Sequence, residues 1–368
     1  MHITHTFFAD ESGNSGMNYL DEAQPFHVEA GFLIPNAHLA AAQSVIRTET
    51  ARPAMKGKDL MASDGGRRKV AKILQAIERA NALPFFIVME KPFSIAGKLV
   101  DVFLDPEHQD AVDWLPMGDI AQREQVTERL FNILPFDLLA RFAELYRFRS
   151  FEAEHPFREL LCGIVQFLES RAEVRLAQSF AGAIHHLSVI LHAERYGKTP
   201  DAHAEWAALN LPAFNHLVKL VDAQMDTHEG KFRITHDRQK QFEKIFERSL
   251  ETLRRSPAHQ IDYRLANGPP TRQQLQNFEG FSTADATAEP MILAADILAS
   301  CVRRLVQDVA AGNGSGIDKD LVQLTLPALI TLDDNPPPFA GIYASARTKN
   351  ELLRALDSNA LLTDADHF

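Results

Sequence analysis

The sequence contains little cysteine, no long apolar run and no secretory start. Only two of its 368 residues are cysteines. Cys162 and Cys301 both lie in apolar segments typical of helices, which favours buried thiols over a disulfide or a metal pair. No run of about 18 apolar residues occurs, so a membrane span is excluded. The start, MHITHTFFADESG, has no basic region followed by an apolar stretch. These absences predict a soluble cytoplasmic protein without a membrane partner.

Basic residues are outnumbered by acidic ones. The chain has 38 Lys and Arg against 49 Asp and Glu, a formal charge of −11, which argues against a basic surface for nonspecific nucleic-acid binding. A nuclease is not excluded, because a carboxylate metal site adds negative charge itself and contacts to a few phosphates need only a local basic strip. Candidate strips, each more typical of a solvated helix face, are Arg67, Arg68, Lys69 and Lys72; Arg254 and Arg255; Arg303 and Arg304.

The common catalytic signatures are also missing. No HExxH, CxxC, P-loop, GxGxxG or GxSxG motif occurs. The 15 histidines are scattered, and the adjacent His185 and His186 point about 100° apart on a helix, so they do not form a chelating pair. We expect His236 at the surface, with a role as a base or a phosphate contact as the alternative. The remaining candidates for chemistry are carboxylates.

The first 98 residues alternate between strand and helix patterns. Residues 4–9 and 25–35 predict two strands that can form a hairpin with a long loop. Residues 37–49 are rich in Ala, and residues 67–80 carry apolar side chains at helical spacing, so both predict helices. Residues 84–91, PFFIVMEK, predict a third strand.

The pattern changes near residue 100, where helix signals alone continue to about residue 225. Alternation then returns with predicted strands in GKFRITHD and HQIDYRLA and a predicted helix beginning at Pro290. We therefore predict an α/β sheet built from two separated parts, 1–98 and 226–345, around an all-helical insertion, 99–225. A helix and tail occupy 346–368.

Four aspartates stand out by their positions. Asp10 ends the first strand in HTFFADESGNSG, and Asp237 ends the strand after the insertion. Asp296 lies in AADILA, where a buried carboxylate without a partner is costly, and Asp285 lies in the loop before that helix. Hard cations such as Mg²⁺ and Mn²⁺ prefer carboxylate oxygens. Two such ions about 4 Å apart can support phosphodiester cleavage.

Each aspartate also has a structural interpretation. Asp10 fits a polar strand end beside a turn, and Asp237 fits a helix cap. Asp285 fits an ordinary loop residue, and Asp296 fits a salt bridge to an arginine. These alternatives stay open from the residues alone.

The segments ADESGNSG, KGKDL, THDRQ and ILAADILA, in this order, resemble an uncharacterised bacterial family of RNase H-like proteins, a domain of unknown function. The resemblance covers 1–98 and about 226–310. It implies an RNase H-like mixed sheet with flanking helices, interrupted here by the helical block. It also implies frequent association with phage defence or mobile elements.

The resemblance carries over to particular positions. Asp10, Asp237 and Asp296 match the converging acidic residues, which implies that they are catalytic and bind Mg²⁺ or Mn²⁺. Glu11 is an adjacent catalytic candidate. Lys58 matches the lysine of the family's loop, and Arg238 matches the arginine of its D-R pair. Asp285 and Glu90 are alternative candidates for a fourth carboxylate. One departure is that helices separate the second and third strands, which run consecutively in ordinary RNase H enzymes.

The sequence therefore predicts a divalent-metal-dependent nuclease or phosphodiester hydrolase. Lys58 and a nearby arginine such as Arg238 would bind the phosphate of a nucleic acid or nucleotide, and the helical insertion would line the cleft or bind a partner protein. The alternative is a catalytically inactive RNase H-like module that recruits partners. Hydrolysis of a nucleotide instead of a polymer is a third hypothesis.

Overall fold

A computed structural model describes residues 2–13, 19–50, 56–61, 63–116, 119–147, 154–195, 210–239, 242–257, 274–312 and 340–363. The chain divides into two compact units. The sheet unit comprises Met1–Asn14, Phe26–Met89 and Asn210–Phe368, and the helical unit comprises Ser15–Pro25 and Glu90–Leu209. The predicted domain limits at 98, 225 and 345 stay predictions.

The described residues form six strands and thirteen α-helices. The strands are β1 (Ile3–Ser12), β2 (Phe26–Pro35), β3 (Leu83–Glu90), β4 (Lys231–Asp237), β5 (Phe278–Ala284) and β6 (Ala340–Tyr343). The helices are α1 (Asn36–Glu49), α2 (Gly57–Met61), α3 (Asp64–Arg79), α4 (Lys91–Phe103), α5 (Ile120–Ile133), α6 (Phe136–Arg147), α7 (Glu154–Ser170), α8 (Val174–His185), α9 (Leu187–Arg195), α10 (Asn210–Met225), α11 (Glu243–Arg255), α12 (Pro290–Ala310) and α13 (Ala346–Thr363). A short 3₁₀-helix spans Asp110–Val112.

The strands form one mixed α/β sheet in the order β5-β4-β1-β2-β3-β6. β1 pairs antiparallel with β2 and parallel with β4, while β4 pairs parallel with β5 and β3 with β6. The predicted hairpin of the first two strands is confirmed. Because parallel neighbours end at the same edge, β1 and β4 place their carboxyl-terminal residues side by side.

Alternation along the strands gives the sheet two differently covered faces. Phe8 and Phe32 lie in one apolar core together with Ile292 and Ile297 of α12. We call this side, which α1, α3 and α12 cover, the α12 face. The opposite side, against which α10 packs, carries the intervening residues, such as Phe7; we call it the α10 face.

Two strands were missed and one prediction cannot be placed. β5 has few fully buried side chains, and β6 has only four residues, so neither shows the apolar pattern expected of a strand. The predicted strand at 259–266 lies outside the described residues.

The thiols differ from one another. Cys301 is buried, as expected, but Cys162 is exposed, so that expectation was wrong. Its helix, α7, buries other positions, including Leu161 and Ile164. Apolar neighbours in sequence therefore did not place the thiol on the buried side of the helix.

The helical unit has its own apolar core. It is built from α4 to α9. At its centre, the ring of Phe103 lies 5.8 Å from that of Phe142 and 6.0 Å from that of Phe157, measured between ring centroids. Across the described ranges, no helix combines the length and apolarity needed to cross a membrane.

Candidate functional site

Three aspartates from separate elements approach one another on the α12 face of the sheet. The register pairs Ala9 of β1 with His236 of β4, so the following residues, Asp10 and Asp237, end neighbouring parallel strands. α12 packs across β1 and β2 and carries Asp296. The charges of Asp237 and Asp296 both raise the pKa of Asp10, so the three carboxylates interact electrostatically.

Asp10 is almost fully removed from water, with 5% of its surface exposed. Burial raises the pKa of its carboxyl well above the usual range, and the charges of Glu11, Asp237 and Asp296 raise it further. One hydrogen bond opposes the shift, because Oδ1 accepts the backbone N–H of Glu11 at 2.7 Å. A cation bound beside Asp10 would relieve this repulsion.

Asp296 is held in a fixed orientation by two donors. Its Oδ2 accepts the backbone N–H of Gly57 at 2.7 Å, and its Oδ1 accepts the hydroxyl of Ser300 at 3.2 Å. Burial raises its pKa, while the Gly57 hydrogen bond and the charge of Lys56 oppose that shift. Among the described residues no arginine forms an ion pair with Asp296, so the salt-bridge interpretation fails there.

Asp237 does not cap the helix that follows it. It is the last residue of β4, whereas α11 begins at Glu243 with Phe242 in the cap position and without a side-chain cap bond. Asp237 therefore remains a half-buried carboxylate at a strand end, next to Asp10.

A buried network lies behind this cluster, on the α10 face. Glu29 Oε1 is 3.1 Å from His27 Nε2, and Glu29 Oε2 is 3.4 Å from His236 Nε2. Burial alone would lower the pKa of His236, but its hydrogen bond with Glu29 and the charges of Glu29 and Glu11 raise it to about 9. Glu29 has a lowered pKa, because both histidines outweigh the effect of its burial.

The surface position expected for His236 was therefore wrong, since the residue is fully buried. The sequence did carry a signal for this burial, because Phe232, Ile234 and His236 follow one another at two-residue steps and therefore share one face of β4. Glu11, at the end of the same face of β1, pairs across the strands with Glu29. Burial and the charge of Glu29 raise the pKa of Glu11.

The fourth predicted aspartate, Asp285, follows Ala284, the residue of β5 that pairs with Asp237 of β4. Asp285 is half-exposed and accepts the backbone N–H groups of Thr287 and Ala288, each at 3.0 Å. The hydroxyl of Thr287 and these N–H groups lower its pKa. Its Oδ2 lies 4.0 Å from Nη1 of Arg238.

Two lysines and one glutamate complete the comparison with the sequence. Lys58 is exposed on α2, and it is Lys56, also exposed, whose charge acts on Asp296. Glu90 ends β3, and its backbone carbonyl accepts the Ser94 hydroxyl at 3.0 Å. The lysine whose charge acts on the carboxylates is therefore Lys56, two residues before the predicted Lys58.

The donor chemistry suits a hard divalent cation, but a complete site is not preformed. Throughout the described ranges, no three His, Cys, Asp or Glu side chains stand close enough together to hold a metal ion. An ion bound by all three aspartates therefore requires their side chains to rotate toward one another.

Comparison with protein-family models, with curated proteins and with solved structures finds no match for this chain.

Proposed function

We propose that this chain is a divalent-metal-dependent phosphodiester hydrolase, a nuclease, with Asp10, Asp237 and Asp296 as its metal ligands. One observation carries the proposal: Asp10 is buried beside the negative charges of two aspartates from other elements. Such repulsion lowers stability, and it is typical of sites that bind a cation.

The topology supports an RNase H-like origin for the site. The resemblance implies acidic residues on the first strand, a following central strand and a late helix. Here β1 lies at the middle of a mixed sheet, β4 is its parallel neighbour, and α12 is a late helix crossing both β1 and β2. We further propose that the helical unit is an insertion into this fold.

The residues of the chain would perform three tasks. The three aspartates would hold Mg²⁺ or Mn²⁺, and a bound ion of this kind supplies charge stabilisation to the phosphoryl oxygens and lowers the pKa of water. Gly57 and Ser300 orient the carboxylate of Asp296. Lys56 adds a positive charge near Asp296, where a phosphate oxygen would otherwise be repelled.

A catalytically inactive recruiting module is the second candidate. It is favoured by the fact that the described acidic side chains do not converge on a ready metal site. A module of this kind would bind partner proteins and would have no need for Mn²⁺. Metal dependence therefore discriminates between the two candidates.

The test is cleavage of single- and double-stranded DNA and RNA by the purified chain with Mn²⁺, with Mg²⁺ and with EDTA. Asp10→Asn, Asp237→Asn and Asp296→Asn should each reduce the rate by at least about a hundredfold, because each removes a metal ligand. Asp59→Asn, on the exposed side of α2, is the matched control and should retain the wild-type rate.

Asp285→Asn tests the fourth predicted carboxylate, and we expect little change because Asp285 accepts hydrogen bonds within its own loop and lies beside the positive charge of Arg238. Cleavage that persists in EDTA, or that survives all three substitutions, would reject the proposed ligands. Absence of both cleavage and Mn²⁺ binding in the wild type would favour the recruiting module.

A further inference from the structure

Arg303 lies on α12 near the three aspartates without taking part in their network. Its Nε donates to the hydroxyl of Ser12 at 2.9 Å, and its Nη1 donates to Oε1 of Gln307 at 2.9 Å. Both acceptors are neutral. No carboxylate of the described residues lies within 4.0 Å of this guanidinium, so its positive charge has no acidic partner in the part of the chain that the structure describes.

The side chain is held in place by close packing. Gly13 has a φ of 83°, and a Cβ at that position would lie 2.9 Å from Cδ of Arg303 and 2.1 Å from the carbonyl oxygen of Phe26. The arginine is half-buried, and burial lowers its pKa. Holding a cation in this way lowers stability unless an anion approaches it.

The neighbouring arginine shows the ordinary alternative. Arg304 is half exposed, and its Nε lies 3.7 Å from Oδ2 of Asp308, one turn along the helix. Exposed pairs of this kind are common and contribute little to stability. Arg303 instead points toward the end of β1, where Ser12 is the second residue after Asp10.

The separation from Asp10 limits what this arginine can contact. Two residues of an extended strand span about 7 Å, so the guanidinium lies along the strand from the carboxylates and not among them. Along one strand of duplex DNA, successive phosphates advance by about 3.4 Å of helix axis, so about 7 Å corresponds to two such steps. A substrate phosphate held at the aspartates would therefore leave a neighbouring phosphate within reach of Arg303.

We propose that Arg303 forms a binding subsite for a non-scissile phosphate of a polynucleotide. The inference rests on the proposed function and narrows its substrate to a chain that carries more than one phosphate. A planar guanidinium already fixed by Ser12 and Gln307 is suited to recognising an oxyanion, because little rotational freedom is lost on binding.

The test measures binding of a fluorescent single-stranded oligothymidylate of about a dozen nucleotides over a range of salt concentrations, both in EDTA and in Ca²⁺. Loss of one phosphate contact reduces the slope of log K against log salt by about 0.7. Arg303→Gln should show this reduction and roughly tenfold weaker binding. Arg303→Lys should retain the slope, and Arg304→Gln is the matched control that should match the wild type.

A second measurement separates this subsite from the proposed catalytic centre. Hydrolysis of bis(4-nitrophenyl) phosphate, which has a single phosphate, should be unchanged in Arg303→Gln, whereas cleavage of the oligonucleotide should fall. An equal loss on both substrates would overturn the inference, as would an unchanged salt slope or no oligonucleotide binding in either condition. Binding that depends on Arg303 in a chain that does not cleave would reject the hydrolase and leave the subsite standing.

Discussion

Asp10 combines burial with like charge, two conditions that both disfavour an ionised carboxylate. Its surface is 5% exposed, and three acidic side chains raise its pKa. In the absence of a bound cation, this residue therefore lowers the stability of the fold. A destabilising group of this kind is expected at a functional site, where activity requires residues that lower the stability of the fold.

Replacing Asp10 by Asn should stabilise the metal-free protein by about 1 kcal/mol. Asn keeps an oxygen that can accept the N–H of Glu11, but it removes the charge that Asp237 and Asp296 oppose. Urea denaturation in EDTA measures the free energy of unfolding. Asp59→Asn, on an exposed side chain, should change it little, and a destabilised Asp10→Asn would contradict the repulsion.

His216 should make the fold sensitive to acid. Burial, with the charge of Lys219, lowers the pKa of its ring to about 4 from 6.5, and its Nδ1 lies 2.7 Å from the hydroxyl of Tyr343. The unfolded chain therefore binds more protons between these values, so this contribution to stability is complete above pH 6.5 and is lost as the pH falls toward 4.

Between about pH 6.5 and pH 5 the loss from this residue should approach 2 kcal/mol. Chemical denaturation at both pH values, for the wild type and for His216→Gln, measures it. The variant should lose less stability than the wild type over this interval. The same loss in both proteins would show that other groups cause the acid sensitivity.

The residue scale also shows what the sequence could indicate about the site. Local patterns predicted that Asp10 and Asp237 each end a strand, whereas their approach to one another was implied only by the resemblance. The contact of Gly57 with Asp296 joins residues 239 positions apart, and that of Arg303 with Ser12 joins residues 291 apart. Contacts of this kind depend on the packing of α12 over the sheet, which no local pattern specifies.

At the scale of elements, α2 and α12 approach closely through a glycine. A Cβ on Gly57 would lie 2.9 Å from Cα of Ile297 and 3.0 Å from the carbonyl oxygen of Asp296. The Gly57 N–H also donates to the carboxylate of Asp296. The site therefore depends on the distance between these two helices.

Gly57→Ala should destabilise the protein by about 1–3 kcal/mol, because the methyl group pushes α2 away from backbone atoms that cannot rotate aside. Gly65→Ala, on α3, is the matched control. Among the described residues, and apart from its chain neighbours and the nearby backbone of its own helix, no atom lies within 4 Å of the place that its methyl group would take, so stability should stay level or rise slightly. Thermal denaturation compares the two variants. Equal effects would show that α2 can shift freely.

The pair formed by Glu29 and His236 joins β2 to β4 across β1. Both side chains are fully buried. On the strand between them, Ala9 pairs with His236 and Glu11 pairs with Glu29. Glu29→Gln should destabilise the fold by about 3 kcal/mol, because it leaves a buried imidazolium without its anion.

A double-mutant cycle with His236→Gln should give a coupling energy above about 1 kcal/mol near pH 6. Since the pKa of His236 is raised to about 9 from 6.5, its contribution is complete below pH 6.5 and is lost as the pH rises through 9. The coupling should therefore shrink at about pH 10. Additive effects near pH 6 would show that the two residues act independently.

Elements with strong local patterns were predicted and those without them were not. β1, β2 and β3 carry apolar runs, and α12 has Pro290 in its first turn, so their positions were confirmed. β5 and β6 lie at the two edges of the sheet, where few side chains need to be apolar. Their existence follows from backbone pairing with β4 and β3, a property of the assembled sheet.

At the scale of the whole molecule, the net charge of −11 opposes the approach of a polyanion. If the substrate is a polynucleotide, as proposed, its binding would therefore depend on local groups such as Lys56 and Arg303, together with bound cations. The three aspartates would then serve two purposes, because a cation that they hold also reduces the negative charge presented to the substrate.

The central claim is that these three aspartates form one divalent-cation site, and Mn²⁺ titration by calorimetry tests it most directly. The wild type and Asp59→Asn should bind Mn²⁺ with the same affinity, and Asp296→Asn should bind at least about tenfold more weakly, a loss of about 1.4 kcal/mol. Equal Mn²⁺ affinity in wild type and Asp296→Asn, or no binding by the wild type, would contradict the site.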